Sequence, residues 1–293
     1  MSNRKGIILA GGSGSRLYPI TSATSKQLLP VFDKPMVFYP LSTLMLSGIT
    51  EILIITNPEN VTNYKDLLGD GSQFGIKLEY LAQAKPNGIA EALILGQDFL
   101  GNSDCALILG DNIFYGSNLQ EILLRSSKVS HGATIFGYRV SDPSRYGIAS
   151  FDVNGRVTKI VEKPSKPETN VAVTGLYFYD NRAVNFANSL SPSNRGELEI
   201  TDLNTLYLED QSLNIELLGR GYAWLDAGTY ESLLDASNFI STIQKRQGTL
   251  VSSPEEIALK NKWISLAELN ELVKTYSENS YSMYLKSLLD QWS

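Results

Sequence analysis

The stretch Gly6-Ile7-Ile8-Leu9-Ala10-Gly11-Gly12-Ser13-Gly14-Ser15-Arg16-Leu17 decides the fold class. Residues 6–10 form an apolar run of the length of a buried strand, and a loop rich in glycine and serine follows directly. Such a loop lets the backbone approach a ligand closely and aims several N–H groups at one point, where phosphate is the usual occupant. Arg16 and the nearby Lys26 could neutralise a polyphosphate there. A loop that only connects two elements remains the alternative.

Two other phosphate-binding loops are excluded by the same residues. A P-loop requires a glycine, four residues and then Gly-Lys-Ser/Thr, and this string does not occur. The dinucleotide fingerprint G-x-G-x-x-G would begin at Gly12, but Leu17 stands at its third glycine position. The loop therefore belongs to neither class.

Outward from this loop, the N-terminal half alternates short apolar runs with helical patterns. The pattern predicts strands at residues 6–10, 51–56, 76–81 and 105–109, and helices at 36–47, 61–68, 89–100 and 119–126. This order predicts right-handed crossovers and a mixed, largely parallel sheet with helices on both faces. We therefore expect a Rossmann-like, three-layer α/β/α sandwich.

The pattern changes after His131. It predicts strands at residues 133–140, 148–153, 157–162, 171–179 and 213–218, with one helix at 200–208. Asn154-Gly155 between two of these strands indicates a hairpin. From Thr229 the pattern is helical, and Ser253 and Ser265 each begin a predicted capping box. We expect an α/β core with a β insertion over 1–228 and a helical segment packed on it over 229–293.

Composition excludes several other classes. The net charge is −6 and no run is rich in Lys or Arg, which argues against a nucleic-acid partner. Cys105 is the sole cysteine, so it cannot form an intramolecular disulfide and is expected to be buried. His131 is the sole histidine and is expected at a surface turn. No signal peptide or membrane span is predicted, and we expect a cytoplasmic protein.

Two aspartates follow apolar runs. Asp111 comes directly after the 105–109 strand, at the carboxyl end where open α/β sheets bind ligands. Asp226 ends the run Trp224-Leu225-Asp226 and precedes Ala227-Gly228. Paired carboxylates suit a hard divalent cation such as Mg²⁺. Alternatively, Asp111 caps a loop and Asp226 caps the helix that begins near Thr229.

The glycine loop and the segment Lys26-Gln27-Leu28-Leu29-Pro30 together resemble a known signature. The signature is G-G-x-G-[ST]-R-L followed by K-x-L-x-P, and it is typical of the sugar nucleotidylyltransferases. The resemblance extends from about Lys5 to the C-terminus and is closest to members that use glucose-1-phosphate and a thymidine nucleotide. It implies the nucleotide-diphospho-sugar transferase fold and a Mg²⁺-dependent reaction of dTTP with glucose-1-phosphate, giving dTDP-glucose and pyrophosphate.

The resemblance also implies roles for individual residues. It assigns the paired aspartates Asp111 and Asp226 to the metal and Arg16, Lys26 and Lys163 to catalysis. Nucleotide-binding positions are Leu9, Gly11, Gly12, Ser13, Gly14, Gln27, Gln83, Pro86 and Gly88. Sugar-binding positions in the β insertion and beside it are Asn112, Tyr146, Gly147, Glu162, Lys163, Val173, Thr174, Tyr177 and Trp224.

From their chemistry alone, some of these residues have ordinary alternatives. Glu162 and Lys163 could be a solvated ion pair at a strand end, and the aromatic residues Tyr146, Tyr177 and Trp224 could belong to the core. The residues equally leave open a uridylyl- or cytidylyltransferase, or another hexose phosphate. A non-catalytic sensor on this fold would be expected to lack Arg16, Lys26, Asp111 or Asp226, and all four are present. A nicotinamide-dependent dehydrogenase would require the dinucleotide fingerprint, which this sequence does not contain. The family further implies a homotetramer, inhibition by dTDP-rhamnose at a separate site, and a place at the start of dTDP-rhamnose or related deoxysugar synthesis, for a polysaccharide or a secondary metabolite.

Overall fold

The computed structural model describes residues 4–12 and 14–292; Ser13, a predicted phosphate-loop residue, lies outside the described residues. Its strands in chain order are β1 (Arg4–Ala10), β2 (Pro30–Val31), β3 (Lys34–Pro35), β4 (Glu51–Thr56), β5 (Lys77–Ala82), β6 (Asp104–Leu109), β7 (Asn112–Gly116), β8 (Ala133–Arg139), β9 (Gly147–Phe151), β10 (Val157–Glu162), β11 (Val171–Tyr179), β12 (Leu213–Leu218) and β13 (Tyr222–Asp226). Its helices are α1 (Phe38–Leu46), α2 (Val61–Leu68), α3 (Glu91–Leu95), α4 (Gln97–Leu100), α5 (Leu119–Ser127), α6 (Ala183–Ser189), α7 (Ile200–Glu209), α8 (Tyr230–Gln247), α9 (Pro254–Lys260), α10 (Leu266–Lys274) and α11 (Ser280–Trp292).

Nine strands form the central sheet in the order β10-β9-β11-β6-β1-β4-β5, and β8 pairs with both β11 and β12. The strands β6, β1, β4 and β5 are parallel, as the alternation of apolar runs and helical patterns predicts. Strand β11 runs antiparallel to β6, β8 and β9, so it joins the parallel half to the predicted β insertion. The predicted hairpin at Asn154-Gly155 is confirmed, because β9 and β10 pair antiparallel around it. The predicted α/β class with a mixed sheet is confirmed.

Both faces of the sheet are buried. Along β1, Ile8 packs in one apolar cluster and its neighbour Ile7 in the other, and β4 divides in the same way between Ile54 and Leu53. Alternate residues of a strand point to opposite faces, so each parallel strand contributes to two cores. This is the layered arrangement that places the carboxyl ends of β1, β4 and β6 at one edge.

A small second sheet lies outside the central one and was not predicted. Strand β7 follows β6 after the turn Gly110-Asp111 and pairs antiparallel with β13. The pattern gave no strand at 112–116 because a tight turn separates β7 from β6 and its partner lies far along the chain. This second sheet carries one of the two predicted metal-binding aspartates and follows the other.

Two helix predictions need correction. The single helix predicted at 89–100 is divided into α3 and α4 at Gly96, where a Cβ atom would lie 2.9 Å from Ile7 Cδ1 on the sheet. Helix α6 was not predicted. Of the two predicted capping boxes, the one at Ser265 is complete and the one at Ser253 is not: Ser253 accepts a hydrogen bond from Glu256 N, but the Glu256 carboxylate bonds Lys260 and Tyr284 instead. Helix α8 begins with a further complete box, formed by Thr229 and Ser232.

The C-terminal helices contact the α/β core through α8, which packs on β2 and β13, and α9, which packs on α1. A set of mostly buried polar side chains lies between them, and we call it the C-terminal polar cluster. Its Lys34 Nζ donates to Asp33 Oδ1 at 2.6 Å, and Glu255, which is fully buried, accepts from two tyrosine hydroxyls at 2.9 and 2.6 Å. The cluster comprises Asp33, Lys34, Gln244, Glu255, Tyr276 and Tyr281.

Three further expectations concern single residues and membrane spans. Cys105 is buried, and this burial raises the pKa of its thiol to about 12. The His131 side chain is exposed at a turn, as predicted. Among the described residues, none of the helices combines the length and the apolar character needed to cross a membrane.

Candidate active site

The glycine loop follows β1 and is held by a side chain from the neighbouring parallel strand. Asn57, at the end of β4, accepts a hydrogen bond from Gly12 N at 3.2 Å and donates one to Gly12 O at 3.0 Å. Gly12 and Gly14 have φ values of +97° and +58°, a region that favours glycine. The 3₁₀ turn that follows carries Arg16. The backbone conformation of the loop therefore explains why positions 12 and 14 are glycine. It also shows that Asn57 holds the loop, a role that the sequence did not indicate.

Asp111 and Asp226 lie at the same end of the second sheet. In the pairing of β7 with β13, Asp226 is opposite Asn112, and Ala227 N donates to Asp111 O at 3.1 Å. Both aspartates line one cavity of about 420 Å³, which we call the active-site cavity. Asp226 does not cap the next helix, because Thr229 is the N-cap of α8. The structure thus brings two carboxylates, distant in sequence, to the carboxyl end of β6.

Lys26 forms an ion pair with Asp111 through Nζ and Oδ2, and both side chains are largely buried. Burial alone would raise the pKa of Asp111. The charge of Lys26 and hydrogen bonds from Lys26 and Asn112 outweigh that effect, so the pKa of Asp111 lies below its ordinary value. Asp111 is therefore an anion that stays charged inside the protein.

Asp226 is surrounded differently. Burial raises the pKa of Asp226, the charge of Asp111 raises it further, and nearby cations, including Arg16 and Arg145, act in the opposite direction. Arg145 Nη2 lies 3.9 Å from Asp226 Oδ2, and a Cβ atom on Gly228 would lie 2.9 Å from Asp226 Oδ1 and 3.2 Å from Arg16 Nη2. Two carboxylates whose repulsion is only partly offset are suited to share a cation.

The donor set fits a cation that takes only part of its ligands from protein. Within residues 4–12 and 14–292, no three His, Cys, Asp or Glu side chains gather as a metal site. Mg²⁺ is typically held by one or two carboxylates, with phosphate oxygens and water completing its shell. Asp111 and Asp226 beside a phosphate-type loop match that requirement.

Asn112 is fixed by three hydrogen bonds. Its Oδ1 accepts from Trp224 Nε1 at 2.6 Å and from Gly175 N at 3.0 Å, and its Nδ2 donates to Asp111 Oδ1 at 2.9 Å. The side chain of Asn112 therefore orients Asp111 and ties β7, β11 and β13 together at the cavity wall.

Glu162 and Lys163 lie at the end of β10 and also line the cavity. Glu162 Oε2 accepts from Thr201 Oγ1 at 2.7 Å, and Glu162 Oε1 lies 3.7 Å from Arg195 Nη2. Lys163 has φ of +42°, and its N–H donates to Tyr146 O at 3.0 Å. Lys163 Nζ lies 3.5 Å from Glu162 Oε1 and the Lys163 side chain is 48% exposed, so the two residues form a partly solvated ion pair that borders the cavity.

The predicted aromatic residues divide into two environments. Tyr146 and Trp224 contact each other with ring centroids 5.0 Å apart, and both line the cavity. Tyr177 also lines it but is 3% exposed and stacks on Tyr179. Tyr177 therefore belongs to the core and to the cavity wall at once.

Most predicted metal and sugar residues border the active-site cavity. Those that line it are Arg16, Asp111, Asn112, Tyr146, Gly147, Glu162, Lys163, Val173, Tyr177, Trp224 and Asp226. Thr174 does not line it: its side chain is fully buried, and among the described residues its Oγ1 has no hydrogen-bond partner.

The predicted nucleotide residues form a second group beside the glycine loop. Gln27 Nε2 lies 3.5 Å from Gly11 O, and a Cβ atom on Gly11 would lie 2.8 Å from Gln83 Oε1. Leu9 O accepts from Gly110 N at 2.9 Å, next to Asp111. The two groups thus meet at the turn after β6.

The loop that contains Pro86 and Gly88 is pinned by a distant main chain. Leu198 N donates to Asn87 O at 2.7 Å, and Leu198 O accepts from Ala90 N at 3.2 Å. A Cβ atom on Gly88 would lie 2.3 Å from Leu198 O, so only glycine fits. Pro86 is exposed at the tip of this loop.

Sequence reasoning missed several residues at this site. Arg145, Thr201 and Asn204 line the cavity, and Arg195 lies at its edge. Each is a polar residue in an otherwise unremarkable stretch, and only the position of Arg145 beside Tyr146-Gly147 offered a signal.

A second cavity of about 630 Å³ lies between the second sheet and the C-terminal helices. Tyr115 and Gly116 on β7, Leu119 on α5, and Ser253 and Glu256 at the start of α9 are among its lining residues. It lies apart from the active-site cavity, since none of its lining residues is shared.

Comparisons with known proteins identify the family to which this fold belongs. The nucleotidyl transferase family model matches residues 5–243. A glucose-1-phosphate thymidylyltransferase of Neisseria meningitidis serogroup A is 56% identical over 285 residues, which is 97% of this chain and 99% of the relative. A Bacillus anthracis crystal structure, described as a candidate glucose-1-phosphate thymidylyltransferase in complex with a sucrose, matches with TM-score 0.75 and 42% identity over 80% of this chain and 94% of that one. A structure of UDP-glucose pyrophosphorylase complexed with UDP-glucose matches with TM-score 0.68 and 25% identity over 84% of this chain and all of that one.

The mixed sheet and the match to the nucleotidyl transferase family identify an α/β nucleotidyltransferase, which is a class of enzymes. Since its curated relatives match it over nearly their whole length, the chain belongs to the glucose-1-phosphate thymidylyltransferase family.

Proposed function

We propose that the chain condenses dTTP with glucose-1-phosphate and releases dTDP-glucose and pyrophosphate. The observation that carries the proposal is the meeting of Asp111 and Asp226 at one cavity that Glu162 and Lys163 also line. The names of the relatives, glucose-1-phosphate thymidylyltransferase, supply the choice of substrates.

On the nucleotide side, the triphosphate would contact the main chain of Gly11, Gly12 and Gly14, with Arg16 and Lys26 offsetting its charge. Ser13 is included only because the family signature contains this position. The base would lie near Leu9, Gln27, Gln83, Pro86 and Gly88. An amide side chain and a main-chain amide can pair with the imide N–H and carbonyls of a pyrimidine.

On the sugar side, Glu162 would accept hydrogen bonds from sugar hydroxyls, and Lys163 would contact the sugar phosphate. Tyr146 and Trp224 offer flat faces to the hexose ring, and Gly147 allows close approach of hydroxyl groups. The proposed sugar site is completed by Asn112, Val173, Thr174 and Tyr177. Of these, Thr174 is buried and does not itself line the cavity, so it would not contact the sugar directly.

The reaction would be an in-line attack by a glucose-1-phosphate oxygen on the α-phosphorus of dTTP, which breaks the bond to the pyrophosphate. Asp111 and Asp226 would hold Mg²⁺, which when bound would offset the negative charge that gathers at the phosphates. Lys163 would hold the nucleophile near Arg16 and Lys26, which orient the triphosphate. A phosphate is already an anion at neutral pH, so no protein base is required.

A substrate screen tests this proposal. Pyrophosphate release is measured with dTTP, UTP, dCTP and several hexose-1-phosphates, with and without a chelator and with Mg²⁺ restored. We expect dTTP with glucose-1-phosphate to be the best pair and the chelator to abolish release. A different best pair, or release unaffected by the chelator, would contradict the substrate or the metal part respectively.

The discrimination between dTTP and UTP is expected to be partial. The two bases differ by one methyl group, whose burial contributes about 1 kcal/mol. A uridylyltransferase is therefore the second candidate, and the structural match to UDP-glucose pyrophosphorylase supports it.

We further propose that the chain acts in the cytoplasm as a homotetramer at the start of dTDP-rhamnose or related deoxysugar synthesis, without nucleic-acid or membrane partners. The second cavity, between β7 and α9, is the proposed site for inhibition by dTDP-rhamnose. Addition of dTDP-rhamnose to the same assay tests this regulation, and unchanged pyrophosphate release would exclude it.

A further inference from the structure

One carboxylate holds two amides of the proposed base-binding segment. Glu91, the first residue of α3, accepts from Gln83 Nε2 at 2.6 Å through Oε2 and from Asn87 Nδ2 at 2.7 Å through Oε1. Gln83 comes before the loop that contains Gly88, and Asn87 lies within it. Glu91 therefore holds the side chains of both Gln83 and Asn87 in place.

The contact with Glu91 determines which atom of the Gln83 amide faces the glycine loop. A carboxylate only accepts hydrogen bonds, so the atom of Gln83 that meets it must be Nε2. The carbonyl oxygen Oε1 then points to Gly11, where a Cβ atom would lie 2.8 Å away. Within residues 4–12 and 14–292, the Gln83 side chain makes only the bond to Glu91, so Oε1 is a ready acceptor.

Gln83 cannot easily turn this amide around. The residue is 5% exposed, and its main-chain N–H is bonded to Thr56 O at 2.7 Å. Reversal of the amide would place Oε1 against the Glu91 carboxylate, where two acceptors repel each other. The orientation is thus set by Glu91 and not by solvent.

We infer that Glu91 is a positioning residue that selects the base through Gln83, an inference that rests on the proposed function. A fixed carbonyl acceptor matches the ring N–H of thymine or uracil. It opposes cytosine, whose corresponding ring nitrogen is itself an acceptor. Glu91 would therefore favour dTTP and UTP over dCTP without touching the nucleotide.

The test compares Glu91→Met with Glu91→Gln. Methionine keeps an unbranched chain but offers only a weak acceptor, whereas glutamine keeps one carbonyl oxygen for Gln83 Nε2. Dissociation constants for dTTP and dCTP are measured with Mg²⁺ and no sugar phosphate, so no turnover occurs. Asp98→Asn, at an exposed position on the next helix, is the matched control.

Glu91→Met should reduce the preference for dTTP over dCTP about tenfold, the effect of one well-made hydrogen bond, because the freed amide can turn its N–H to cytosine. Glu91→Gln should recover most of the preference, and Asp98→Asn should leave it unchanged. Equal weakening of both nucleotides in Glu91→Met would overturn the inference and leave Glu91 a structural residue.

The same substitution made in a Gln83→Leu variant shows whether Glu91 acts through Gln83. In Gln83→Leu no amide remains to be oriented, so adding Glu91→Met should leave the dTTP to dCTP ratio of that variant unchanged. A further fall of similar size would refute action through Gln83. Failure of the proposed function is distinguishable, since it would appear as absence of pyrophosphate release by the unsubstituted chain while these binding ratios still decide the role of Glu91.

Discussion

Two lysines eight residues apart, Lys26 and Lys34, show how differently a buried charge can be used. Lys26 has one carboxylate partner, Asp111, which lines an open cavity. Lys34 lies in the C-terminal polar cluster, where it bonds Asp33, approaches Gln244 Oε1 at 3.5 Å and contacts the rings of Tyr39 and Tyr281.

The two regions differ in how fully protein groups surround their charged side chains. In the C-terminal polar cluster every charge is enclosed by protein partners, so its bonds contribute to stability and leave nothing for a ligand. At the active-site cavity burial and the charge of Asp111 raise the pKa of Asp226, and both carboxylates line the open cavity. Substitutions in the first region should alter stability, and substitutions in the second should alter turnover.

The largest effect is expected for Asp111→Asn and for Asp226→Asn. Each change removes one of the two charges proposed to hold Mg²⁺, and turnover should fall about 1000-fold because charge at the phosphates is no longer offset. Initial rates of pyrophosphate release over a range of Mg²⁺ concentrations measure the loss. The melting temperature should not decrease for Asp226→Asn, whose charge is disfavoured by burial and by Asp111, whereas Asp111→Asn leaves the buried Lys26 without its partner and should lower it.

Retention of normal activity by either variant would remove the metal role from that residue. A marked loss of stability without loss of turnover would reverse the comparison between the two regions.

The next effect concerns stability and is expected for Lys34→Met. The change leaves the Asp33 carboxylate, whose side chain is 11% exposed, without its cation, and breaking a buried pair in this way costs about 3 kcal/mol. The free energy of unfolding in urea measures it, and turnover at 25 °C should stay normal. Lys77→Met is the matched control, because the pair of Lys77 with Glu79 is exposed.

If Lys34→Met slowed turnover as strongly as Asp111→Asn while the protein stayed folded, the cluster would have a catalytic role and the comparison would fail.

A smaller effect is expected for Lys163→Ala, within the active-site cavity. Loss of one charge-assisted bond to a phosphate corresponds to about 2 kcal/mol, or about 30-fold. This should appear in the KM for glucose-1-phosphate and hardly in that for dTTP, as steady-state kinetics with each substrate varied would show. Lys159→Ala on the same strand, with an exposed side chain, is the control. Equal changes in both KM values would place Lys163 on the nucleotide side.

Much of the fold was predictable from local pattern. The runs at 171–179 and 213–218 agree in both bounds with β11 and β12, because each is a mainly apolar segment between turns. Strand β7 was not predictable, since it exists only by pairing with β13 across the whole insertion. The division of the helix at Gly96 was not predicted either; a Cβ atom there would lie 2.9 Å from Ile7 Cδ1 on the sheet, a tertiary contact that no helical pattern contains.

The candidate site divides in the same way. Asp111 could be selected because it follows a parallel strand, and the glycine loop because of its composition. Arg145, Thr201 and Glu91 could not, since their importance comes from partners that only the folded chain brings near: Asp226, Glu162 and Gln83 respectively. A residue whose role is to contact another side chain in the folded chain cannot be recognised from the residues next to it in sequence.

The main-chain pairing of β7 with β13 determines which sequence changes the chain can accept without moving the two aspartates. The spacing of Asp111 and Asp226 is set by main-chain bonds at the end of that pairing, and by Ala227 N to Asp111 O, not by the side chains between them. Exposed loops between Gly116 and Tyr222, such as the hairpin turn at Asn154-Gly155, can therefore change in length without altering that spacing, whereas β11 cannot shift freely because Gly175 N donates to Asn112. A single residue inserted within β13, by contrast, would turn the Asp226 carboxylate to the opposite face.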